Sequence, residues 1–263
     1  MYLNLKIIKM ENNWINEIKL KSKKIYSQRN QDGVTEFIFE NIGTTNKFCV
    51  EFGFNAKTLT GGSGSNVARL VLEDKWNCLL LDGKNENESI NLYKEFLTFE
   101  NIGDVFKKYS VPIETDYVSI DVDSTDLWLM KGLLMKEYRP RLISVEYNAN
   151  FPLDFSYTCK SIMPSFIGDM IYGASLLALN NVAQEFNYSL IAVVRHLDLF
   201  FVRNDLLDIK LIPCITQFKQ LTGNRCHGDA TIERLKCLVE YPSMNPISDE
   251  VIQKFPQIFR VKK

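Results

Sequence analysis

Two apolar runs near residue 200, Tyr188-Ser189-Leu190-Ile191-Ala192-Val193-Val194 and Leu199-Phe200-Phe201-Val202, are separated only by Arg195-His196-Leu197-Asp198. A parallel return needs a crossover of a dozen or more residues, so this pair must be an antiparallel hairpin. Upstream of it, short apolar runs alternate with helical patterns, the signature of an α/β sheet. Strands are expected at Lys47–Phe52, Cys78–Leu81, Leu92–Leu97, Tyr117–Ile120 and Leu142–Val145. Helices are expected from Ser65 as N-cap with Val67, Leu70 and Val71 buried, from Glu100 to Tyr109, from Leu127 to Tyr138 and from Ala174 to Phe186. A mostly parallel sheet closed by an antiparallel hairpin follows.

In an open α/β sheet, ligands bind at the carboxyl ends of the strands. Here those ends carry acids: Glu51-Phe52-Gly53-Phe54-Asn55, Asp82-Gly83, Asp121-Val122-Asp123 and Glu146-Tyr147-Asn148. One acid marks where a strand leaves the core; four in series form an acidic rim. Such a rim suits a sulfonium nucleoside. Gly53 would leave room for it, Glu51 would bond the ammonium of its methionine portion, and Asp82 would take both ribose hydroxyls. Gly83 would let the adenine approach the backbone. The G-x-G-x-x-G fingerprint of dinucleotide sites is absent, because Asn55 and Thr58 stand at its second and third glycines. The candidate nucleoside set is Glu51, Gly53, Phe54, Asn55, Ser65, Asn66, Asp82, Gly83 and Asp121.

Several blocks taken together resemble a known family. Tyr26-Ser27-Gln28-Arg29-Asn30-Gln31-Asp32-Gly33, Val50-Glu51-Phe52-Gly53, Leu81-Asp82-Gly83, Ser119-Ile120-Asp121-Val122-Asp123, Val145-Glu146-Tyr147-Asn148, Tyr172-Gly173-Ala174-Ser175-Leu176 and Phe200-Phe201-Val202-Arg203 look like successive blocks of FkbM-type methyltransferases. The resemblance implies the class I methyltransferase fold, a Rossmann-like sandwich around a seven-stranded, mostly parallel sheet with an antiparallel closing hairpin. It implies S-adenosyl-L-methionine as donor and a hydroxyl of a sugar, glycan or secondary metabolite as acceptor. Relatives carry Asp-Gly-Asn-Asp or similar where this chain has Asp123-Ser124-Thr125-Asp126, and Asn in place of His196 or its neighbours, which leaves the acceptor open.

O-methylation requires the acceptor hydroxyl to lose its proton, through a base or a metal. Asp121, Asp123 and His196 are the candidate catalytic residues. Asp121, Asp123, Glu146 and Asn148 offer oxygen ligands for Mg²⁺. The alternatives are that Asp121 touches only the cofactor, that Asp123 caps the next helix, and that His196 is a turn residue paired with Asp198. Residues 150–171 are expected either as an acceptor lid, with Phe151, Phe155, Tyr157 and Phe166 stacking on a sugar face, or as a plain loop. Asp32 is expected to cap a helix beginning near Val34, while Gln28 and Gln31 are placed to touch ligand. Cys214, Cys226, His227 and Cys237 could hold zinc, but no C-x-x-C pair anchors them.

A formal net charge of −1 gives no electrostatic case for nucleic acid or an acidic membrane. No signal-peptide core and no apolar run near the ~20 residues of a membrane span are visible, so a cytoplasmic location is expected. The chain divides into a basic amphipathic N-terminal extension (1–24), the methyltransferase-like domain (25–205) and a C-terminal extension (206–263). The last either covers the sheet or forms an oligomer contact. Two rival functions use the same residues: a nucleotide-sugar glycosyltransferase with Asp121-Val122-Asp123 as a metal-binding D-x-D, and a non-catalytic binding module.

Overall fold

The computed structural model describes residues 13–162, 166–223, 227–256 and 258–259. Its main sheet has seven strands: β1 (Phe48–Phe52), β2 (Asn77–Asp82), β3 (Leu92–Lys94), β4 (Tyr117–Ile120), β5 (Leu142–Glu146), β7 (Tyr188–Val193) and β8 (Asp198–Arg203). They lie in the order β3-β2-β1-β4-β5-β8-β7. The first five are parallel, and β8 runs antiparallel between β5 and β7. This is a Rossmann-like mixed α/β arrangement with the hairpin in its expected place. A second sheet pairs β6 (Tyr157–Cys159) with β9 (Leu238–Glu240), antiparallel. No helix among the described residues is long and apolar enough to cross a membrane.

Side chains alternate across a strand, so each strand feeds two cores. Val50, Phe52, Val118, Ile120, Ile143 and Val145 pack with helices α4 (Ile102–Lys108), α5 (Asp126–Met135) and α6 (Leu176–Glu185). Cys49, Leu80, Tyr117 and Leu142 pack on the other face. There they meet α2 (Gln31–Ile42), α3 (Ala68–Leu72) and the short α1 (Trp14–Glu17). Burial on both faces explains why the strands read as continuous apolar runs. Within the N-terminal extension, Ile15 and Ile18 are part of this second core, while Leu20 is exposed. Lys6, Ile7, Ile8 and Lys9 lie outside the described residues.

Several element boundaries differ from the sequence-based expectation. The third strand stops at Lys94 rather than Leu97: Glu95 still donates its amide to the Asp82 carbonyl, and Phe96 then turns out to solvent at 80 % exposure. Helix α3 starts at Ala68, because Ser65 and Asn66 are drawn to the Glu51 carboxylate; Ser65 Oγ nevertheless accepts from the Ala68 amide. Helix α4 is a residue or two shorter at each end than expected. Helix α5 ends at Met135, before Glu137, which adopts a left-handed φ of 64°. Ser175 caps α6, accepting from the Ala178 amide.

The C-terminal extension first covers the sheet domain, with Leu206, Leu207 and Leu211 against the second core and Ile215 and Phe218 against the first, and its later part packs against residues 150–172. Strand β9, helix α7 (Ile232–Leu235) and helix α8 (Asp249–Lys254) enclose a third core of Phe151, Phe155, Cys159, Met170, Ile171, Leu235, Leu238, Ile247 and Phe259.

At the opposite end of the sheet from the cavity, the buried carboxylate of Asp116 holds the entry into β1. It accepts from the amides of Thr45, Asn46 and Lys47 and from the Thr45 hydroxyl, at 2.7–3.0 Å. Asp116→Ala strips three turn amides of their acceptor and is expected to cost about 3–5 kcal/mol in urea titration. A loss under about 1 kcal/mol would contradict this anchoring role.

Candidate active site at the carboxyl ends of the strands

A cavity of ≈ 620 Å³ opens where β1, β2, β4 and β5 end. Gly53, Asn55, Asp82, Gly83, Asp121, Asp123, Glu146 and His196 line it, as do Gln28, Arg29, Glu95, Phe96, Ser124, Thr125 and His227. Thus many of the residues singled out in the sequence do meet around one space.

Gly53 has φ 70°, and a Cβ there would stand 1.6 Å from the Asp121 carbonyl oxygen. The glycine is therefore required first by the close approach of the β1 and β4 exits, before any ligand is considered. Glu51 is buried. Its Oε2 accepts from Ser65 Oγ at 2.6 Å and its Oε1 from the Asn66 amide at 2.7 Å. Burial pushes its carboxyl up to about 7, with the Ser65 and Asn66 hydrogen bonds acting against the rise. Glu51, Phe54 and Asn66 border only a small pocket of ≈ 30 Å³ behind Gly53, room for about one water. They lie behind Gly53, at the floor of the site rather than in its open wall. Phe54 is a core side chain.

Below this floor runs a buried polar network. Asn66 Nδ2 donates to Ser119 Oγ at 3.0 Å and to Asp198 Oδ2 at 3.2 Å, and Gln31 Nε2 donates to the same Asp198 oxygen at 3.0 Å. Ser144 Oγ donates to Ser119 Oγ and is bonded to Tyr117 OH. Asp198 is pushed up to about 6 by burial, which those two amide donors partly offset. It therefore serves this network and does not pair with His196. Gln31 is likewise structural, while Gln28 reaches the cavity. Asp32 does not cap a helix near Val34: α2 already begins at Gln31, and Asp32 Oδ2 gathers the amides of Ile25, Tyr26 and Ser27.

Asp82 Oδ1 accepts from the amides of Lys84 and Asn85, which orients the carboxylate at the tip of β2. The exposed ring of Phe96 stands beside Gly83, where a Cβ would lie 4.0 Å from it. Residue 96 was expected inside the third strand, so its role at the rim had no sequence signal.

One ligand atom from each of Asp121, Asp123 and Glu146 lies within 4.8 Å of the others. It is the one metal-competent group of three or more such residues among the described residues. Glu146 Oε2 is buried without a hydrogen-bond partner. Burial first, then the neighbouring carboxylates Asp198, Asp123 and Asp126, raise Asp121 well above the usual carboxylate range. Glu146 rises through burial and then Asp121 and Asp126. Two unit charges at such a spacing repel by roughly 3–4 kcal/mol at an effective dielectric of about 20. The cluster therefore holds protons or a cation. Hard oxygen donors and an orphaned buried oxygen fit Mg²⁺.

Asn148 does not join this cluster. Its Nδ2 donates to the carbonyls of Met170 and Tyr172, and its Oδ1 accepts from Asn150, so it ties down the 150–172 segment. Nor does Asp123 cap α5; Asp126 accepts from the Val122 and Ser124 amides instead, and burial raises it to about 7. Asp123 is left exposed in the turn, at φ 58°.

His196 also sits in a left-handed turn (φ 62°), its amide donating to Tyr147 OH and its Nε2 accepting from Arg195 Nε at 3.1 Å. Burial, then Arg195 and Arg29, lower its pKa. None of the four aromatics expected to stack on an acceptor lines the cavity. Phe151 and Phe155 are buried against Phe255 and Phe259, and Tyr157 tilts against Phe155. Phe166 packs edge-on against Tyr172 and His227. The zinc set is also dispersed: Cys214 is exposed beside Thr216, Cys237 bonds the Glu233 carbonyl, His227 lines the cavity, and Cys226 lies outside the described residues.

No protein-family model matches the chain, and none of the curated proteins matches it significantly.

The raised carboxyls set a pH dependence. A folded pKa above the unfolded value means the folded state binds more protons in between, so stability falls as pH rises through the folded pKa. Glu51 and Asp126 at about 7, joined by Asp121 and Glu146, should make the metal-free protein more stable at pH 7 than at pH 8.5. The expected gain is on the order of 1–2 kcal/mol, read by urea titration in chelator. The lowered histidines oppose this only near and below their unfolded pKa of about 6.5. Equal stability at the two pH values would contradict the assignment.

Proposed function

We propose that the chain is an S-adenosyl-L-methionine-dependent O-methyltransferase of the class I type, acting on a hydroxyl of a sugar, glycan or secondary-metabolite acceptor. The observation that carries this reading is the charge of the cavity. Asp82, Glu95, Asp121, Asp123 and Glu146 line it against only Arg29 and Lys84 among the lysines and arginines. A nucleoside bearing a sulfonium and an ammonium group complements such a wall. A dinucleotide would bring a diphosphate to the same acids. The strand order, with an antiparallel strand inserted next to β5, also supports the class I layout that the sequence blocks imply.

Asp82 is placed to bind the ribose, with Gly83 and Phe96 beside the adenine, and the methyl group would then face Asp121, Asp123 and His196. The sulfonium supplies an activated methyl group, so much of the work left to the protein is positioning. Asp123, exposed in the cavity, is placed to take the acceptor proton. His196 is the less direct base because its Nε2 is engaged by Arg195. A Mg²⁺ held by Asp121, Asp123 and Glu146 would polarise the acceptor hydroxyl.

The same acid cluster favours one rival, a metal-dependent nucleotide-sugar glycosyltransferase, and calorimetry separates the two. S-adenosylhomocysteine is expected to bind, and Asp82→Ala to weaken it by about 1.5–3 kcal/mol. Binding of UDP-glucose with Mn²⁺, and none of S-adenosylhomocysteine, would overturn the methyltransferase reading. Chelation is expected to abolish methyl transfer while sparing nucleoside binding; transfer that survives exhaustive chelation would rule out the metal.

A further inference from the structure

The chain has two histidines, His196 and His227, and both line the one large acidic cavity although they come from separate parts of the fold. His227 belongs to the C-terminal extension, beyond the blocks that carry the family resemblance. Its imidazole lines the same cavity as Asp123. Arg29, Ser124, Thr125 and His196 line it too.

This placement is built rather than incidental. The imidazole meets the Tyr172 ring edge-on at 4.7 Å and Phe166 at 5.4 Å. Gly228, next in the chain, exchanges backbone hydrogen bonds with Gly168 and Met170. Arg234 then clamps Asp169 through two bonds, Nε to Oδ2 at 2.8 Å and Nη2 to Oδ1 at 3.0 Å, and also donates to the Ile171 carbonyl. Both clamp residues are buried. A buried ion pair contributes little net stability after desolvation, but it fixes relative orientation. What it fixes here is the 166–172 segment against the turn that carries His227.

Resting on the methyltransferase reading, we infer that the C-terminal extension forms the acceptor wall of the site, with His227 hydrogen-bonding a hydroxyl of a polyhydroxylated acceptor. Arg234 and Asp169 are positioning residues that act through it. The donor end, formed by Asp82, Gly83 and Phe96, does not depend on this wall.

The test compares the parent protein with His227→Ala, His227→Gln and Arg234→Met. Calorimetry with S-adenosylhomocysteine reads the donor end. Transfer of tritiated methyl groups from S-adenosyl-L-methionine to the methyl glycosides of glucose, galactose, fucose and rhamnose reads the acceptor end. All four proteins are expected to bind S-adenosylhomocysteine alike. KM for the glycoside is expected to rise about tenfold in His227→Ala, the scale of one lost hydrogen bond, and to be largely restored in His227→Gln. Arg234→Met should follow His227→Ala. An unchanged KM in His227→Ala overturns the inference. A parent that binds S-adenosylhomocysteine but methylates none of the glycosides overturns the polyhydroxylated acceptor. A parent that fails to bind S-adenosylhomocysteine removes the donor reading, and this inference with it.

Discussion

The site depends on a carboxylate that solvent barely reaches. Glu51 accepts from Ser65 and Asn66, and Asn66 in turn donates to Ser119 and Asp198, which Gln31 also holds. Five separate pieces of chain, β1, the turn before α3, β4, β8 and the start of α2, are thereby fixed to one another under the cavity. A fully satisfied buried network of this kind is expensive to disturb, because each partner lost leaves another unpaired in a low-dielectric setting. The floor is rigid, and the acids standing on it inherit that rigidity.

Those acids are more numerous than a partly dry cavity tolerates in ionised form. Asp121 is raised by burial and then by Asp198 and Asp123, Glu146 by burial and then by Asp121, and the nearby Asp126 by burial and Asp123. Protons relieve the crowding when the site is empty, and a cation would relieve it better. On the proposed reading, the carboxylates that stay ionised would favour a cationic ligand, and an anionic one would need a metal to accompany it.

The strands, their closing hairpin and the acids at their ends were legible in the sequence, because burial on both faces produces unbroken apolar runs and a four-residue link admits one geometry. The partners of polar side chains were not legible. Nothing near residue 148 announces that Asn148 will hold the carbonyls of Met170 and Tyr172, nor does the spacing of Asp121, Asp123 and Asp126 reveal which one gathers the amides of the turn before α5. Glu51 was recognised as a site residue, but its orientation toward the Ser65 turn follows from the face of β1 on which it lies. Phe151 and Phe155 looked like stacking platforms because their true neighbours, Phe255 and Phe259, are about a hundred residues away. The position of His227 also rests on a long-range pairing, that of Asp169 with Arg234, 65 residues apart.

The β6–β9 pairing joins Tyr157–Cys159 to Leu238–Glu240, so it closes a loop of some eighty residues. Such distant contacts are slow to form, and during synthesis they must wait for the later segment to emerge. The Rossmann-like sheet is complete by Arg203, well before β9 is made. A nascent chain therefore passes through an interval in which β6 is held on one side only, by its backbone bonds to residues 173–175, while Phe151 and Phe155 lack the rings that later bury them. The late strand covers the second edge of β6, and a shortened C-terminal extension would leave that edge open to pairing with another chain.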